Sequence, residues 1–154
     1  MNETAFDLQY FLPYLINQAA EAASLGFQDI YRDRYAMSRT GWRVMANLGK
    51  FGAMTARDIC TISHIEKTKV SRAVVGLEKA GMLGRTPLPT DRRAEILSLT
   101  EKGLAAFKDL GQRALDYDRN LRGLLGVKDA SELDRILLGI IATRSETGIN
   151  GTNS

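Results

Sequence analysis

Cysteine, histidine and tryptophan each occur once in the 154 residues, as Cys60, His64 and Trp42. A lone thiol cannot close an internal disulfide, which excludes a disulfide scaffold and suits a reducing compartment. One histidine and one cysteine cannot complete a closed structural zinc site without several carboxylates, so neither metal nor cofactor is expected. Proline is scarce at 3, and the 14 glycines follow no fixed period, which excludes a collagen-like fibre. The longest apolar runs, such as Leu137-Leu138-Gly139-Ile140-Ile141-Ala142, fall far short of the ~20 residues a transmembrane helix needs, so no membrane partner is expected. Met1-Asn2-Glu3-Thr4 puts no basic stretch before an apolar run. No secretory signal is therefore expected, and the cytoplasm is the expected location. A Gly-rich phosphate loop, a metal cluster and a nucleophile–base pairing are all missing, so no catalytic residue is expected.

What is present is a globular composition with an uneven charge. The net charge is only +3, but residues 54–103 carry nine basic and six acidic groups, whereas the segments on either side are balanced. A basic centre between neutral ends is the pattern of a nucleic-acid reader held in a neutral scaffold. With no internal repeat and no dividing linker, residues 1–154 read as one domain.

Apolar residues from Leu12 through Ile16, Ala20, Ala23, Phe27 and Tyr31 recur in steps of 3 and 4, predicting a long amphipathic helix to about Arg34. Ser38 is the expected N-cap of a second helix, which carries Trp42, Met45 and Leu48 inward and stops at Gly49 or Gly52. Thr55 with Asp58 resembles a capping box opening a short helix, Ala56–Ile62. Ser63-His64-Ile65-Glu66 is a tight connection to a further helix, about Lys67 to Ala80, closing at Gly81. Two short helices so joined make a helix-turn-helix candidate.

After Gly81, Met82–Thr86 and Ala94–Leu99 read as short strands around a basic turn, Pro87–Arg93, that is, a β-hairpin or wing. Thr100 can cap the next helix, with Leu104, Phe107, Leu115, Leu121 and Leu124 on its apolar side. Asp129 with Glu132 reads as a capping box for a last helix bearing Leu133, Ile136, Leu137, Ile140 and Ile141, and residues 147–154 as a tail. The expected fold class is mainly α with a small β-hairpin wing (α+β).

On the helix from Lys67, Val70, Ala73, Val74 and Leu77 form the inward set. Lys67, Thr68, Lys69, Ser71, Arg72 and Val75 form the outward one. Short hydroxyls let a backbone approach, Arg or Lys meets guanine O6 and N7, and Val75 can touch a thymine methyl. The competing reading is an ordinary solvated helix face. Arg92 and Arg93, expected at the wing tip, are placed to reach phosphates or an adjacent minor groove. Asp91 is expected to pair with one of these arginines and hold the tip in shape. Lys67, Thr68, Lys69, Ser71, Arg72, Arg92 and Arg93 are thus the expected DNA-binding residues.

In order and spacing, Met54-Thr55-Ala56-Arg57-Asp58-Ile59-Cys60, Lys67-Thr68-Lys69-Val70-Ser71-Arg72, Leu77-Glu78-Lys79-Ala80-Gly81-Met82-Leu83, Asp91-Arg92-Arg93 and Leu97-Ser98-Leu99-Thr100-Glu101-Lys102-Gly103 resemble the MarR family of winged-helix transcriptional regulators. The resemblance covers about residues 12–145. It implies a homodimer whose helical parts, 12–48 and 104–146, form the scaffold, with 54–103 as the winged helix-turn-helix lobe. The terminal helices agree, because their apolar stripes are broader than one chain of this size can cover. The resemblance further implies a repressor of double-stranded DNA that reads an inverted repeat with half-sites roughly 10 bp apart and is released by a ligand or oxidant. The sign of regulation stays open.

Family ligands settle between dimer helices and DNA lobe, which implies Tyr31, Tyr35, Arg39, Trp42 and Arg43 as candidate contacts for a small aromatic or anionic effector. Aromatic faces beside guanidinium groups suit a flat aromatic acid. Core packing of Trp42 is the competing reading, and Cys60 reads as core filling rather than a redox sensor. The rival to the whole reading is a helical dimeric protein-interaction module without sequence-specific DNA binding. It would carry acids or bulky apolar groups in place of the outward basic face.

Overall fold

The computed structural model describes residues 5–147. Two compact units divide the chain, Met1–Ala114 and Leu115–Ser154. After a short 3-10 turn at Leu8–Tyr10, the first unit holds α1 (Leu12–Tyr35), α2 (Arg39–Phe51), β1 (Met54–Thr55), α3 (Ala56–Ser63), α4 (Lys67–Lys79), β2 (Leu83–Leu88) and β3 (Asp91–Leu99). Helix α5 (Glu101–Leu125) gives its first part to this unit and its last part to the second, which also holds α6 (Val127–Thr147).

The helix boundaries have local causes. Pro13 occupies the first turn of α1, where its missing N–H costs nothing. The α1 helix closes on Ala36, which takes a left-handed conformation with φ of 50°. Ser38 caps α2 by accepting the Gly41 N–H at 3.0 Å, and Gly52 ends that helix with φ of 85°. At the end of α3, His64 supplies the left-handed residue, with φ of 52°. It makes the α3–α4 turn tight, and the residues there are exposed or half-buried.

Strands β1, β3 and β2 form an antiparallel sheet in that order, with Met54 opposite Leu97 and Leu83 opposite Leu99. The core of the first unit gathers Val44, Met45 and Leu48 from α2, Ile59 from α3, Val70, Val74 and Leu77 from α4, Leu83 and Leu97 from the sheet, and Leu110 from α5. Its placement fixes α4, because Val70, Ala73, Val74 and Leu77 on the inner side of that helix are spent in it.

Two expectations need correction. The last helix begins at Val127 behind Gly126, whose φ is 85°, so Asp129 lies inside its first turn and does not cap it. A left-handed glycine had already stopped the preceding helix, and the new one could start at once. Glu132 is held instead by Arg135. The short β1 strand was also not foreseen, since two residues carry no periodicity. Of the expected tail 147–154, residues 148–154 lie outside the described residues.

Candidate nucleic-acid interface

Helix α3 is anchored by a reciprocal cap: the Asp58 N–H donates to Thr55 Oγ1 at 3.1 Å and the Thr55 N–H donates to Asp58 Oδ2 at 3.0 Å. The main-chain bond from Thr55, followed by its side-chain bond, holds the Asp58 carboxyl below the usual carboxylate range. Its stabilising effect is therefore complete above the ordinary carboxylate pKa and is lost as pH falls through the depressed value. Thr55→Ala is expected to cost about 1 kcal/mol, read by urea denaturation at neutral pH. An unchanged midpoint would show that the sheet pairing of β1 already sets this helix start.

Helix α4 divides as its spacing predicts. Val70, Ala73, Val74 and Leu77 are buried, and Lys67, Thr68, Lys69, Ser71, Arg72 and Val75 are exposed. The carbonyls that follow it meet the start of α5. Lys102 Nζ donates to Ala80 O at 2.8 Å, Thr100 Oγ1 to Gly81 O at 2.6 Å, and the Thr100 N–H to Met82 O at 3.0 Å. Thr100 Oγ1 in turn accepts the Gly103 N–H at 3.1 Å, capping α5. Gly81 turns the chain with φ of 74°.

The wing differs from the sequence expectation in two ways. Its turn contracts to Pro89-Thr90, because Pro87 lies on an edge strand, where no ladder N–H is required, and β2 runs on to Leu88. The register shifts from Pro87 opposite Glu95 to Leu88 opposite Asp91. Arg92 and Arg93 therefore sit in the skipped stretch of β3 rather than in the turn. The Asp91 carboxylate also makes a different bond. Its Oδ1 accepts the Arg93 main-chain N–H at 2.9 Å, a local turn bond, and among the described residues it takes no guanidinium. An Asp91–Arg93 charge swap therefore has no ion pair to restore. The group that does brace the wing is Arg85, unremarked in the sequence. Its Nε donates to Glu78 Oε2 of α4 at 2.7 Å and its Nη1 to Glu95 Oε2 of β3 at 3.1 Å.

Charge pairing separates the arginines. Arg32, Arg34, Arg39, Arg85, Arg113, Arg119, Arg122 and Arg135 all sit in ion pairs. Among the described residues, Arg57, Lys67, Lys69, Arg72, Arg92 and Arg93 form none, and all six are exposed. Cations without an ion pair also occur elsewhere, at Arg43 and Lys50 among others, but these six stand together on one winged lobe, where a polyanion gains most. Arg57 was missed in the sequence, and its only signal there was its place two residues after a cap.

The five candidate effector contacts do not share one cavity. Tyr31 is buried, edge-on to Phe27 at 5.6 Å and stacked on the half-buried Trp42 at 6.5 Å. Arg39 is held by both carboxylate oxygens of Glu21 and by Gln28 at 3.3 Å. Arg43 is exposed. Tyr35 alone of the five lines a cleft of about 780 Å³, together with Met37, Ser38, Thr40, Lys69, Arg72, Gly76 and Lys79. Its hydroxyl donates to Asp109 Oδ2 at 2.7 Å, and Asp109 also accepts from Arg34 at 3.0 Å and Arg113 at 3.2 Å. That hydrogen bond from Tyr35 is the chief cause holding the Asp109 carboxyl below its usual range. Burial, then the bond to Asp109, raises the Tyr35 phenol pKa, so it stays a donor.

Among the described residues no three His, Cys, Asp or Glu side chains are grouped to hold a metal ion. No described helix is long and apolar enough to cross a membrane.

Residues 37–94 match the family model described as MarR family. The transcriptional regulator FarR of Neisseria gonorrhoeae is 25% identical over 109 residues, covering 71% of this chain and 74% of that protein. A MarR family transcriptional regulator of Silicibacter pomeroyi, SPO1453, superposes with a TM-score of 0.77 at 25% identity, over 90% of this chain and 98% of that one. Bordetella bronchiseptica BpsR, whose DNA binding is regulated by 6-hydroxynicotinic acid, superposes with a TM-score of 0.78 at 19% identity, over 88% and 96% of the two chains. These similarities are to transcriptional regulators rather than enzymes, and they span the capped helix pair, the outward basic helix and the wing described above. Over residues 37–94 the chain matches the MarR family model, and beyond that segment it is similar in sequence and fold to transcriptional regulators, one of them of the MarR family.

Proposed function

We propose that the protein is a homodimeric repressor that reads an inverted repeat through α4 and is released from DNA by a small aromatic acid. The observation that carries this reading is the exposed face of α4, where short hydroxyls and unpaired cations stand together. Thr68, Ser71, Arg72 and Val75 meet base edges, Lys67 and Lys69 flank them, and Arg92 and Arg93 extend the contact from the wing. In this division residues 54–103 act as the reading lobe, and 12–48 with 104–146 as the dimer scaffold. Such a reader works in the cytoplasm, where the lone Cys60 stays reduced.

Dimerisation is supported by apolar surface. In the second unit Ala130 is the one described residue that is buried, while Leu124, Leu125, Val127, Leu133, Ile136, Leu137, Leu138, Ile140 and Ile141 are exposed. In the first, Phe6, Tyr10, Phe11, Leu12 and Leu15 are likewise exposed. Apolar area on this scale is what an obligate interface covers.

Release is supported by shared side chains. Lys69 and Arg72 stand on the outward face of α4 and also line the 780 Å³ cleft beside Tyr35. A carboxylate in the cleft takes up cations that DNA needs, and the flat body of an aromatic acid fits between Tyr35 and the apolar lining.

Selection of bound duplexes from a random pool at near-physiological salt tests the reading. An enriched inverted repeat with half-sites roughly 10 bp apart supports a dimeric reader. Binding that fades with salt and enriches nothing returns the interaction-module reading. On the selected site Arg72→Ala is expected to cost about 1–3 kcal/mol at one base position and to relax specificity there. Equal weakening on every sequence would make Arg72 a phosphate contact.

A further inference from the structure

The cleft of about 780 Å³ carries three charged side chains, Lys69, Arg72 and Lys79, all of them cations and all on α4. No carboxylate lines it. Among the described residues none of the three forms an ion pair, and each is exposed. Two acids beside lining residues are already engaged, Glu78 by Arg85 and Asp109 by Tyr35, Arg34 and Arg113. Helical rise sets the spacing of the cations. Lys69 and Arg72 are one turn apart and make a single centre, whereas Lys79 stands two turns beyond Arg72, roughly 10 Å along the axis. Between them lie Ala73, Gly76 and Leu77. Gly76 is exposed, and nothing lies within 4 Å of the Cβ it lacks. Glycine inside a helix is destabilising relative to alanine, and no neighbouring group of the chain uses the space it leaves. The facing wall, with Tyr35, Met37 and Thr40 around the α1–α2 joint, carries no charge.

We propose that the effector is an elongated dianion, a flat apolar body with an anionic group at each end. Lys69 and Arg72 hold the first group and Lys79 the second, while the body lies across Gly76 and faces Tyr35 and Met37. The inference rests on the cleft being the effector site, as proposed above, and adds the class of molecule that fills it. A monoacid would neutralise the Lys69–Arg72 centre and leave Lys79 beside a cleft that offers no counter-charge. The volume agrees, because about 780 Å³ lies in the upper part of the roughly 300–1,000 Å³ typical of drug-sized ligands and exceeds what one small ring fills. The two ends do different work. The first takes up cations that the proposed reader needs for DNA. The second selects for length, since a shorter acid cannot reach both centres.

Calorimetric titration of the intact protein, without DNA, tests this with biphenyl-4-carboxylate, biphenyl-4,4′-dicarboxylate and benzene-1,4-dicarboxylate at one fixed salt concentration. The long dicarboxylate should bind about tenfold more tightly than the monocarboxylate of the same body, and should exceed the short dicarboxylate by at least as much. Lys79→Ala should bring the long dicarboxylate down to the level of the monocarboxylate and leave the monocarboxylate where it was. A folding defect would weaken both, so the monocarboxylate serves as the internal control. Arg72→Ala should weaken both biphenyl probes by the same factor. Equal affinity of the two biphenyl probes for wild type would overturn the dianion and leave the monoacid reading standing. A gap that survives Lys79→Ala, whether or not both probes weaken, would overturn the second seat. A short dicarboxylate that matches the long one would overturn the required length. Binding of none of the three would overturn the dianion and the aromatic-acid effector together, while the duplex selection still decides DNA reading on its own.

Discussion

Gly103→Ala is expected to destabilise the protein by about 3 kcal/mol, with a fall in both the urea midpoint and the melting temperature. Within a helix this exchange ordinarily stabilises, by roughly 0.5–1 kcal/mol, because alanine restricts the unfolded chain more than glycine does. Here the sign reverses. A Cβ on Gly103 would lie 1.9 Å from the Met82 carbonyl oxygen and 2.9 Å from its carbon. Those atoms are backbone, and Met82 O is already engaged by the Thr100 N–H at 3.0 Å. The clash cannot be relieved by turning a side chain, so the start of α5 must lift from the segment that follows α4. Gly111 is the internal control, since nothing lies within 4 Å of the Cβ it would gain. Gly111→Ala should leave stability equal or raised. Equal behaviour of the two variants would mean that the α5 start accommodates a methyl group by sliding, and the close approach would lose its importance.

On the proposed homodimer, Ile140→Asp is expected to leave only monomer in sedimentation equilibrium and to weaken operator binding by about 100-fold or more. Leu133, Ile136, Leu137 and Ile140 succeed one another at helical spacing on α6, and each is more than a third exposed in the single chain. A carboxylate there leaves the single chain untouched but would be desolvated in each copy on association, a penalty of several kcal/mol. The loss for DNA is larger than the loss of any one contact. Two linked readers convert the second binding event into an intramolecular one, and that gain, about 10² or more, disappears with the dimer. A variant that stays dimeric with undiminished affinity would move the interface away from this face of α6.

Features set by neighbours in sequence were legible before the fold. Ser38, the Thr55–Asp58 pair and Gly81 act on backbone groups two or three residues away, and each stands where its residue type implied. The buried and exposed sides of α4 followed from its period for the same reason. Asp129 and Glu132 had the right spacing for a cap, but Gly126 had already reset the chain, and spacing alone does not say which of two start signals prevails. The wing was legible as a hairpin and not in its register, since a proline reads as a turn unless its strand is known to be an edge. Arg39 reads as a free guanidinium until α1 brings Glu21 beside it from 18 positions away. Arg85 was hidden likewise, with one partner on the preceding helix and the other across the sheet. The candidate effector residues were grouped by type, and only the fold shows which of them line the cleft beside α4. The cleft keeps Tyr35 and takes its cations from α4.

The three successive carbonyls that follow α4, those of Ala80, Gly81 and Met82, are answered by Lys102 and Thr100 at the start of α5. On its other side α4 is tied to the sheet through Glu78 and Arg85. Helix α4 is therefore tied both to the wing and to the α5 start. It behaves as the blade of a tool fixed in its handle, and in the proposed reader would change its angle to DNA by carrying both along. Amide hydrogens of α4, of β3 and of Thr100 should consequently be released to solvent together, at a single rate, when the lobe opens.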